Sequence, residues 1–315
     1  MSTAAISPTR FSVTGPAIGQ RLDSFLAQSA SVSRRQARLW IGSGRVRVRG
    51  RAARILTRPL RDGDMVELDL AAAAPSLAPV APAALRLLYL DPHVVVVAKP
   101  SGLLSEPDRL EGPAVTSLLP RLLQARGEAD RLWLVHRLDA GTSGVLVLAR
   151  RPQAAARLSA AFRDGQAHKR YLALCQGQLT AARVSAPLGR LAGSRQGVVA
   201  EGRAARTDLV PLATASGVTL VGARPHTGRT HQIRVHLAHV GHPILGDRLY
   251  GGPGYGPPPG RTPIGRFMLH ALALTLPHPA TGEPMTWRAL PPPDLRAVAA
   301  IYGIDVAIAA TAHFP

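Results

Sequence analysis

The spacing of apolar residues changes several times along the chain, and each change marks an element. Leu22, Phe25 and Leu26 fall at helical spacing. Ser33 stands where it can cap a second short helix carrying Arg34, Arg35, Gln36, Leu39, Trp40 and Ile41, which Gly42 and Gly44 should end. Val46 and Val48 then alternate with Arg45, Arg47 and Arg49, the period of a half-buried strand with a cationic outer face. Arg61-Asp62-Gly63-Asp64 reads as a turn into a further strand, Met65-Val66-Glu67-Leu68. Residues 18–70 are therefore expected to form a small basic helix-helix-strand domain, following a start without structure. Residues 71–84, rich in Ala and Pro, contain little that could pack and read as a linker.

Beyond the linker the pattern becomes that of a larger mixed domain, 85–292. Residues 86–90 and 94–98 look like two strands joined at Asp91-Pro92-His93. A helix with Pro152 in its first turn should run toward Phe162 and end near Gly165. Tyr171-Leu172-Ala173-Leu174-Cys175 reads as a buried strand in which the cysteine acts as a small hydrophobe. Ile233, Leu237 and Val240 predict a helix that starts soon after Gly228 and ends at Gly241. The tail, 293–315, is Pro-rich and then apolar, and its pattern assigns it no role. No internal repeat is visible.

Charge narrows the partner. The 315 residues carry 38 Lys and Arg against 19 Asp and Glu, a formal net charge of +19. Lys99 and Lys169 are the only lysines. A GC-rich genome would explain the preference for arginine, but not the shortage of acids. Such a charge attracts a polyanion, and counterion release strengthens binding to phosphates, so nucleic acid is favoured over a membrane surface. One cysteine excludes an internal disulfide and a cysteine-based zinc site. The start lacks the apolar core of a signal peptide, and the aliphatic run at 94–98 is far too short to span a bilayer. A soluble cytoplasmic protein is expected.

Two stretches could hold chemistry. In the first, 134–148, apolar segments flank His136-Arg137-Leu138-Asp139-Ala140-Gly141-Thr142-Ser143-Gly144. That arrangement can hold a carboxylate on a rigid frame beside a ligand, but an aspartate that only bonds its own turn would look the same. The second, 225–237, contains Thr227-Gly228-Arg229-Thr230-His231-Gln232-Ile233-Arg234-Val235-His236. The recurrence of His236, His239 and His242 raises a metal site, but no carboxylate nearby completes one and His242 follows the helix terminator. Histidines in polar contacts of the core, with Arg229 and Arg234 as fixed positive charge, explain the stretch as well. No Gly-rich phosphate loop is present, and neither Ser105 nor Ser143 lies in a nucleophile elbow.

Taken together, five separated motifs make 85–290 resemble the RluA-type pseudouridine synthases. They are Lys99-Pro100-Ser101-Gly102-Leu103-Leu104-Ser105; His136-Arg137-Leu138-Asp139 with Thr142-Ser143-Gly144; Lys169-Arg170-Tyr171; the stretch 227–236; and His242-Pro243-Ile244-Leu245-Gly246-Asp247, followed by Leu269-His270-Ala271. The N-terminal domain is similar to the small RNA-binding module first described in a ribosomal protein of the small subunit. Arg21-Leu22-Asp23, Ser33-Arg34-Arg35-Gln36-Ala37, Ile41, Gly44-Arg45-Val46 and Gly63-Asp64 carry that likeness. One departure is Val48-Arg49-Gly50, where members usually have valine-asparagine-glycine, and Arg49 there would add a phosphate contact.

The resemblance implies an α+β protein: a catalytic domain on a large, mainly antiparallel mixed sheet with flanking helices, preceded by the small RNA-binding domain. It also implies an isomerase for uridines in structured RNA that needs no cofactor and no metal and works as a monomer. Asp139 takes the place of the family's catalytic aspartate, Arg229 that of the arginine paired with it, and Tyr171 that of the tyrosine packed against the base. Arg137 matches the arginine thought to fill the space of the flipped base. Lys99 counts with the substrate-binding residues in a supporting place, and Arg34 and Arg35 with the RNA-binding face. Desolvation and a nearby cation act on Asp139 in opposite directions, and the cation is expected to win and keep it ionised. Large-subunit ribosomal RNA is the expected target. The run 99–110, with Pro107 and Arg109-Leu110, instead looks like a subgroup that also modifies transfer RNA. A non-catalytic RNA-binding or ribosome-assembly factor is the other reading.

Overall fold

Residues 8–42, 45–53, 59–70, 85–107, 113–128, 131–191, 195–251 and 264–307 are described by a computed structural model. The expected linker 71–84, Gly44, Arg109-Leu110, the tail beyond 307 and the side chains of Arg35 and Leu39 lie outside the described residues. The chain divides near residue 81 into two units, each with its own core.

The first unit contains β1 (Thr9–Ser12), α1 (Leu22–Ser29), α2 (Arg34–Gly42), β2 (Val46–Val48), β3 (Arg51–Ala52) and β4 (Met65–Leu68), with an antiparallel sheet ordered β1-β4-β2-β3. Leu22, Phe25 and Leu26 of α1 and Ile41 of α2 pack with Val46, Val48, Val66 and Leu68 of the sheet. Ser33 caps α2 as expected, its Oγ accepting from the Gln36 amide at 3.2 Å. The start is not without structure. β1 pairs with β4 along four residues, but its only apolar member is Phe11, so alternation could not reveal it.

Arg49 and Gly50 form the two-residue loop of the β2–β3 hairpin, with φ of 53° and 71°. Both central residues of such a tight turn need positive φ, which is why asparagine-glycine is favoured there. Arg49 adopts it with its Nε 2.5 Å from Asp64 Oδ1, so its guanidinium is engaged within the domain. Asp23, fully buried, is held by Arg21 (3.0 Å) and Arg38 (2.8 Å). Burial opposes the charge, but the two guanidinium groups keep its pKa below the ordinary aspartate value.

The second unit is built on a ten-stranded mixed sheet. Its elements are β5 (Arg86–Leu90), β6 (Val94–Lys99), α3 (Val115–Gln124), β7 (Trp133–Leu134), β8 (Ser143–Ala149), α4 (Pro152–Arg163), β9 (His168–Gln176), β10 (Ala182–Ser185), β11 (Leu188–Arg190), β12 (Gln196–Val198), β13 (Arg206–Ala215), β14 (Val218–Pro225), α5 (Gln232–His239), β15 (Leu269–Pro277), β16 (Pro284–Arg288) and α6 (Pro293–Ile301). The order is β10-β13-β14-β9-β15-β8-β6-β5, with β16 also on β15, β7 on β8, and β11–β12 a separate pair. Only β15 with β8 runs parallel, so the sheet is mainly antiparallel as expected.

Asp91 makes the β5–β6 turn by accepting from the His93 and Val94 amides, both at 2.7 Å. Val94, Val96, Val145 and Val147 alternate onto the face that α4 covers with Ala154, Leu158 and Ala161. On another face α5 and α6 bury Ile233, Leu237, Leu295 and Ala299 against Leu172, Leu174 and Leu220. Helix α6 thus makes the first part of the expected tail a member of the core. Cys175 is buried in β9 and its thiol is pushed up to about 12, as an inert core residue. No helix among the described residues is long and apolar enough to cross a membrane.

The parallel pairing of β8 with β15 is two residues long, His270 against Ser143 and Ala271 against Gly144. Gly144 has φ of +122°, and a Cβ there would stand 2.1 Å from the Ala271 carbonyl oxygen. β16 occupies the same edge of β15 from Ala273 onward. The edge is thus shared, and the chain just before Ser143 is left free to form a loop at the split.

Two outcomes follow for stability. Gly144→Ala should destabilise the second unit by about 3 kcal/mol or more in chemical denaturation, since both clash and backbone conformation oppose it. Asp23→Asn should destabilise the first unit by about 2 kcal/mol at pH 7 through weakened charge-assisted hydrogen bonds. Because the Asp23 pKa is lowered by folding, its contribution is present above the ordinary aspartate range. The difference between wild type and variant should therefore shrink as pH falls through that range, and a pH-independent difference would contradict the ion-pair account.

Candidate active site

Asp139 stands in the loop before β8, and its side chain is 26% exposed. The motif 99–105 holds the backbone on both sides of it. Lys99 is 1% exposed and its Nζ donates to the carbonyls of Pro100 (3.1 Å), Leu103 (2.6 Å) and Ala140 (3.1 Å). Ser105 Oγ accepts from the Leu138 amide (3.0 Å) and donates to the Leu138 carbonyl (2.9 Å). Ser101 Oγ donates to the Gly141 carbonyl, and the Gly102 amide to that of Ala140. Residues 138, 140 and 141 are thereby fixed from one short motif. Burial pushes Lys99 down to about 7, against the pull of the Asp139 charge. With its three donors on carbonyl oxygens Lys99 braces the loop, in the supporting place the resemblance implied for it.

Arg266 holds the same loop from another direction. Its Nη1 donates to the carbonyls of Gly141 (3.2 Å), Phe267 and Leu269, while Nε and Nη2 pair with Asp294 of α6 at 2.6 and 3.1 Å. Nothing in the sequence pattern singled out Arg266, because its partners are mostly backbone oxygens. Ser143 and His270 also meet, Oγ to Nδ1 at 3.0 Å, but both are 2% exposed. The His270 Nε2 donates to the Ala289 carbonyl, and burial pushes this histidine down to about 4. The pair is a structural brace.

The cation beside Asp139 is Arg234, with Nη1 3.5 Å from Asp139 Oδ2. Arg229 was expected there. Its Nε instead donates to the Ala204 carbonyl at 3.1 Å, although the residue lines the same cavity. Arg234 belongs to α5, whose residues 232–237 are all buried, so its charge has to be paired. Asp247 takes it in two bonds of 2.6 and 2.9 Å, and the guanidinium lies 4.0 Å from the Phe267 ring centroid and 4.9 Å from that of Tyr250. Burial works against the charge, but the Asp247 bonds outweigh it and raise the Arg234 pKa. The motif 242–247 thus exists to bring Asp247 to Arg234. Its Gly246, φ +78°, has the Arg266 carbonyl oxygen 2.1 Å from where a Cβ would sit.

Gln232 shapes the loop before α5. Its Oε1 accepts from Thr227 Oγ1 and the Arg229 amide, and its Nε2 donates to the Arg206 carbonyl and Thr207 Oγ1. His231, with φ of 57°, has Nδ1 2.7 Å from the Tyr250 hydroxyl and Nε2 3.9 Å from Asp139 Oδ2. His236 is buried between Thr207 Oγ1 and the Ala186 carbonyl, and His242 Nδ1 bonds the Gln176 carbonyl. His231, His236 and His242 are therefore bound to groups of the fold.

Asp139 opens into a cavity of roughly 560 Å³ and is the only carboxylate among its lining residues. Tyr171 lines it from β9, and burial, then the Asp139 charge, push its phenol up, so it stays neutral. His136 stacks on Phe162 at 4.7 Å, and its Nε2 accepts from the Val147 amide, which places the neutral ring's proton on Nδ1. Burial pushes it down to about 3. Arg137 points outward, 66% exposed, with Glu106 at 3.2 Å. Arg34 lies in the first unit, where it donates to Ser24 Oγ, and Arg35 shares its helix. The cavity thus joins one carboxylate, a neutral aromatic ring and several cations.

Known proteins share this plan. Residues 93–239 match the family described as RNA pseudouridylate synthase, and residues 20–66 match the S4 domain. The chain is 36% identical over 304 residues to ribosomal large subunit pseudouridine synthase C of Escherichia coli (strain K12), spanning 90% of this chain and 93% of that one. It is 36% identical over 314 residues to ribosomal large subunit pseudouridine synthase D of Xanthomonas campestris, spanning 95% and 93%. Among solved structures, human RNA pseudouridylate synthase domain containing 4 aligns with a TM-score of 0.56 at 28% identity, over 68% of this chain and 92% of that one. On this identity and coverage the chain belongs to the RNA pseudouridine synthases, isomerases that convert uridine to pseudouridine, and carries an S4 domain ahead of the catalytic one.

Proposed function

We propose that this isomerase acts on uridines of large-subunit ribosomal RNA in the cytoplasm, with Asp139 as its essential carboxylate. The observation that carries the assignment is the placement of Asp139, the sole acid of the cavity, beside the Tyr171 ring. The names of the related enzymes support the ribosomal target.

The chemistry asks for few groups. The bond from C1′ to N1 breaks, the uracil turns, and C1′ is rejoined to C5. The C5 hydrogen leaves as a proton and N1 gains one, so no oxidant, reductant or phosphate energy is consumed. A carboxylate either attacks the sugar or removes a proton from it, and both roles need the ionised form. Arg234 supplies the counter-charge at 3.5 Å, while its tighter bonds to Asp247 keep it from capturing the reactive oxygen. Flipping the target out of its helix costs a few kcal/mol. Stacking on a neutral Tyr171 would return about 1–3 kcal/mol of that. Arg137, exposed and two residues before Asp139, would enter the vacated stack, and its exposure supports that role. Arg34 would offer a phosphate contact from the S4 domain.

Three variants test the reading with RNA tritiated at C5 of its uridines. Wild type should release tritium. Asp139→Asn should release none while retaining RNA affinity within about threefold. Release by that variant would remove Asp139 from the chemistry. Arg234→Gln leaves Asp139 facing Asp247 without a cation and should lower kcat by at least about 100-fold. Arg266→Gln frees the Gly141 carbonyl and should lower kcat by about tenfold with KM nearly unchanged; an effect on KM alone would show that Arg266 does not position the loop. Pseudouridine mapped across total RNA, with and without the gene, should differ in large-subunit ribosomal RNA; a difference confined to transfer RNA would overturn the target.

A further inference from the structure

We propose that Lys169, with Arg229 beside it, forms a site for a phosphodiester oxyanion of the substrate strand next to the target nucleotide. The proposal rests on the uridine-isomerase reading and gives a task to a motif residue that the chemistry above leaves unused.

Lys169 and Tyr171 are two residues apart on β9, so their side chains leave the same face, roughly 7 Å apart along the strand. Both line the cavity. Lys169 Nζ donates to the Thr227 carbonyl at 2.7 Å. An ammonium carries three donors, and the other two have no acceptor among the described residues. Arg229 lines the cavity from the loop after β14, and with its Nε on the Ala204 carbonyl its two terminal nitrogens likewise have no acceptor among the described residues. Two cations therefore face one partly dry space with donors to spare. Burial first, and then repulsion by Arg229, push Lys169 down to about 8. A like-charge pair of this kind is relieved by an anion that accepts from both. When the nucleotide swings out to bring its base to Tyr171, its flanking phosphates move with it to the cavity mouth, and they are anions of the required class.

The charged and titratable groups that line the cavity with Lys169 are Tyr171 on β9, Arg163 at the end of α4, His226, Arg229 and His231 on the loop after β14, Arg234 on α5, and His136, Arg137 and Asp139 on the loop before β8. His136, pushed down to about 3 by burial and then by Lys169, is neutral across pH 7–9. The arginines stay charged and Tyr171 stays neutral across pH 7–9. An anion bound to Lys169 raises its pKa, so binding is favoured while the free lysine is protonated and weakens as pH rises through about 8.

The test uses the full enzyme and a transcript spanning a uridine mapped by tritium release, with Kd, KM and kcat measured across salt and from pH 7 to 9. Lys169→Met should raise KM about tenfold, with the loss carried by KM more than by kcat. Its plot of log affinity against log salt should be shallower by about one ion. Lys169→Arg should restore the slope and bind independently of pH, whereas wild type should weaken above pH 8. A Lys169→Met enzyme with unchanged KM and salt slope but reduced kcat would overturn the proposal, as would wild-type affinity that is flat from pH 7 to 9. An unchanged slope with a raised KM would point to a neutral uracil oxygen and also overturn it. If Lys169→Met does not fold, the pH comparison of Lys169→Arg with wild type decides. Failure of wild type to release tritium would instead remove the isomerase reading, and the two failures are thus separate.

Discussion

A guanidinium buried between two carboxylates and two aromatic rings is costly to assemble and hard to move, and the site is arranged around that fact. Arg234 comes from a helix with no exposed residue from 232 to 237, where an unpaired charge would not survive. Asp247 meets it edge on, Phe267 and Tyr250 cover it, and Asp139 lies at the remaining nitrogen. The four partners come from three separate stretches of chain, with Asp247 and Tyr250 sharing one turn, and Arg234 makes them agree. Its bonds to Asp247 are short and its contact with Asp139 is long. That asymmetry keeps one carboxylate as structure and leaves the other available to react.

Holding the Asp139 carboxylate in place requires control of its backbone as well. The carbonyls and amides at 138, 140 and 141 are taken by Ser105, Lys99, Gly102, Ser101 and Arg266. The loop sits where β8 and β16 divide one edge of β15, a place where the ladder alone could not fix it. Hydrogen bonds from side chains to backbone replace the missing ladder. This is why motif residues such as Lys99 and Ser105 spend their polar groups on the backbone around Asp139, and why a helix as remote in sequence as α6 reaches the site through Asp294 and Arg266.

Much of this was legible from spacing, and the failures have physical causes. The helices at 22–29 and 232–239 announced themselves through apolar periodicity, and that at 152–163 through the proline in its first turn. The α+β class and the mainly antiparallel sheet followed from the family motifs, because strand pairing is a long-range property that local alternation does not encode. β1 escaped because an edge strand with one apolar residue has almost no pattern. α6 escaped because prolines and a short apolar run look alike whether packed or loose. The exchange of Arg229 for Arg234 is more instructive. Both arginines lie in one motif five residues apart, and order alone does not say which faces Asp139. The usable signal was that Arg234 falls between Ile233 and Val235 in a helix buried all round, where a charge must have a carboxylate partner. Arg229, next to Gly228 in a loop, carries no such obligation.

The electrostatic consequence ties the two ends of the site together. An enzyme for RNA needs cations at its mouth, yet this reaction needs an anion at its base, and a carboxylate brought toward a phosphodiester strand repels it. Arg234 answers part of this at the base, but Asp247 takes most of its charge. The remaining positive charge must come from groups that do not pair with Asp139 and so do not neutralise it. Arg229 and Lys169 meet that condition because their side-chain partners among the described residues are backbone carbonyls, of Ala204 and Thr227, instead of acids. A carbonyl orients a cation without cancelling it. The cavity therefore keeps both signs, with the negative charge of Asp139 beside an arginine shared with a second acid and the positive charge of Arg229 and Lys169 not cancelled by an acid. On the proposed reading, that separation is what would let Asp139 work on the sugar of a polyanion.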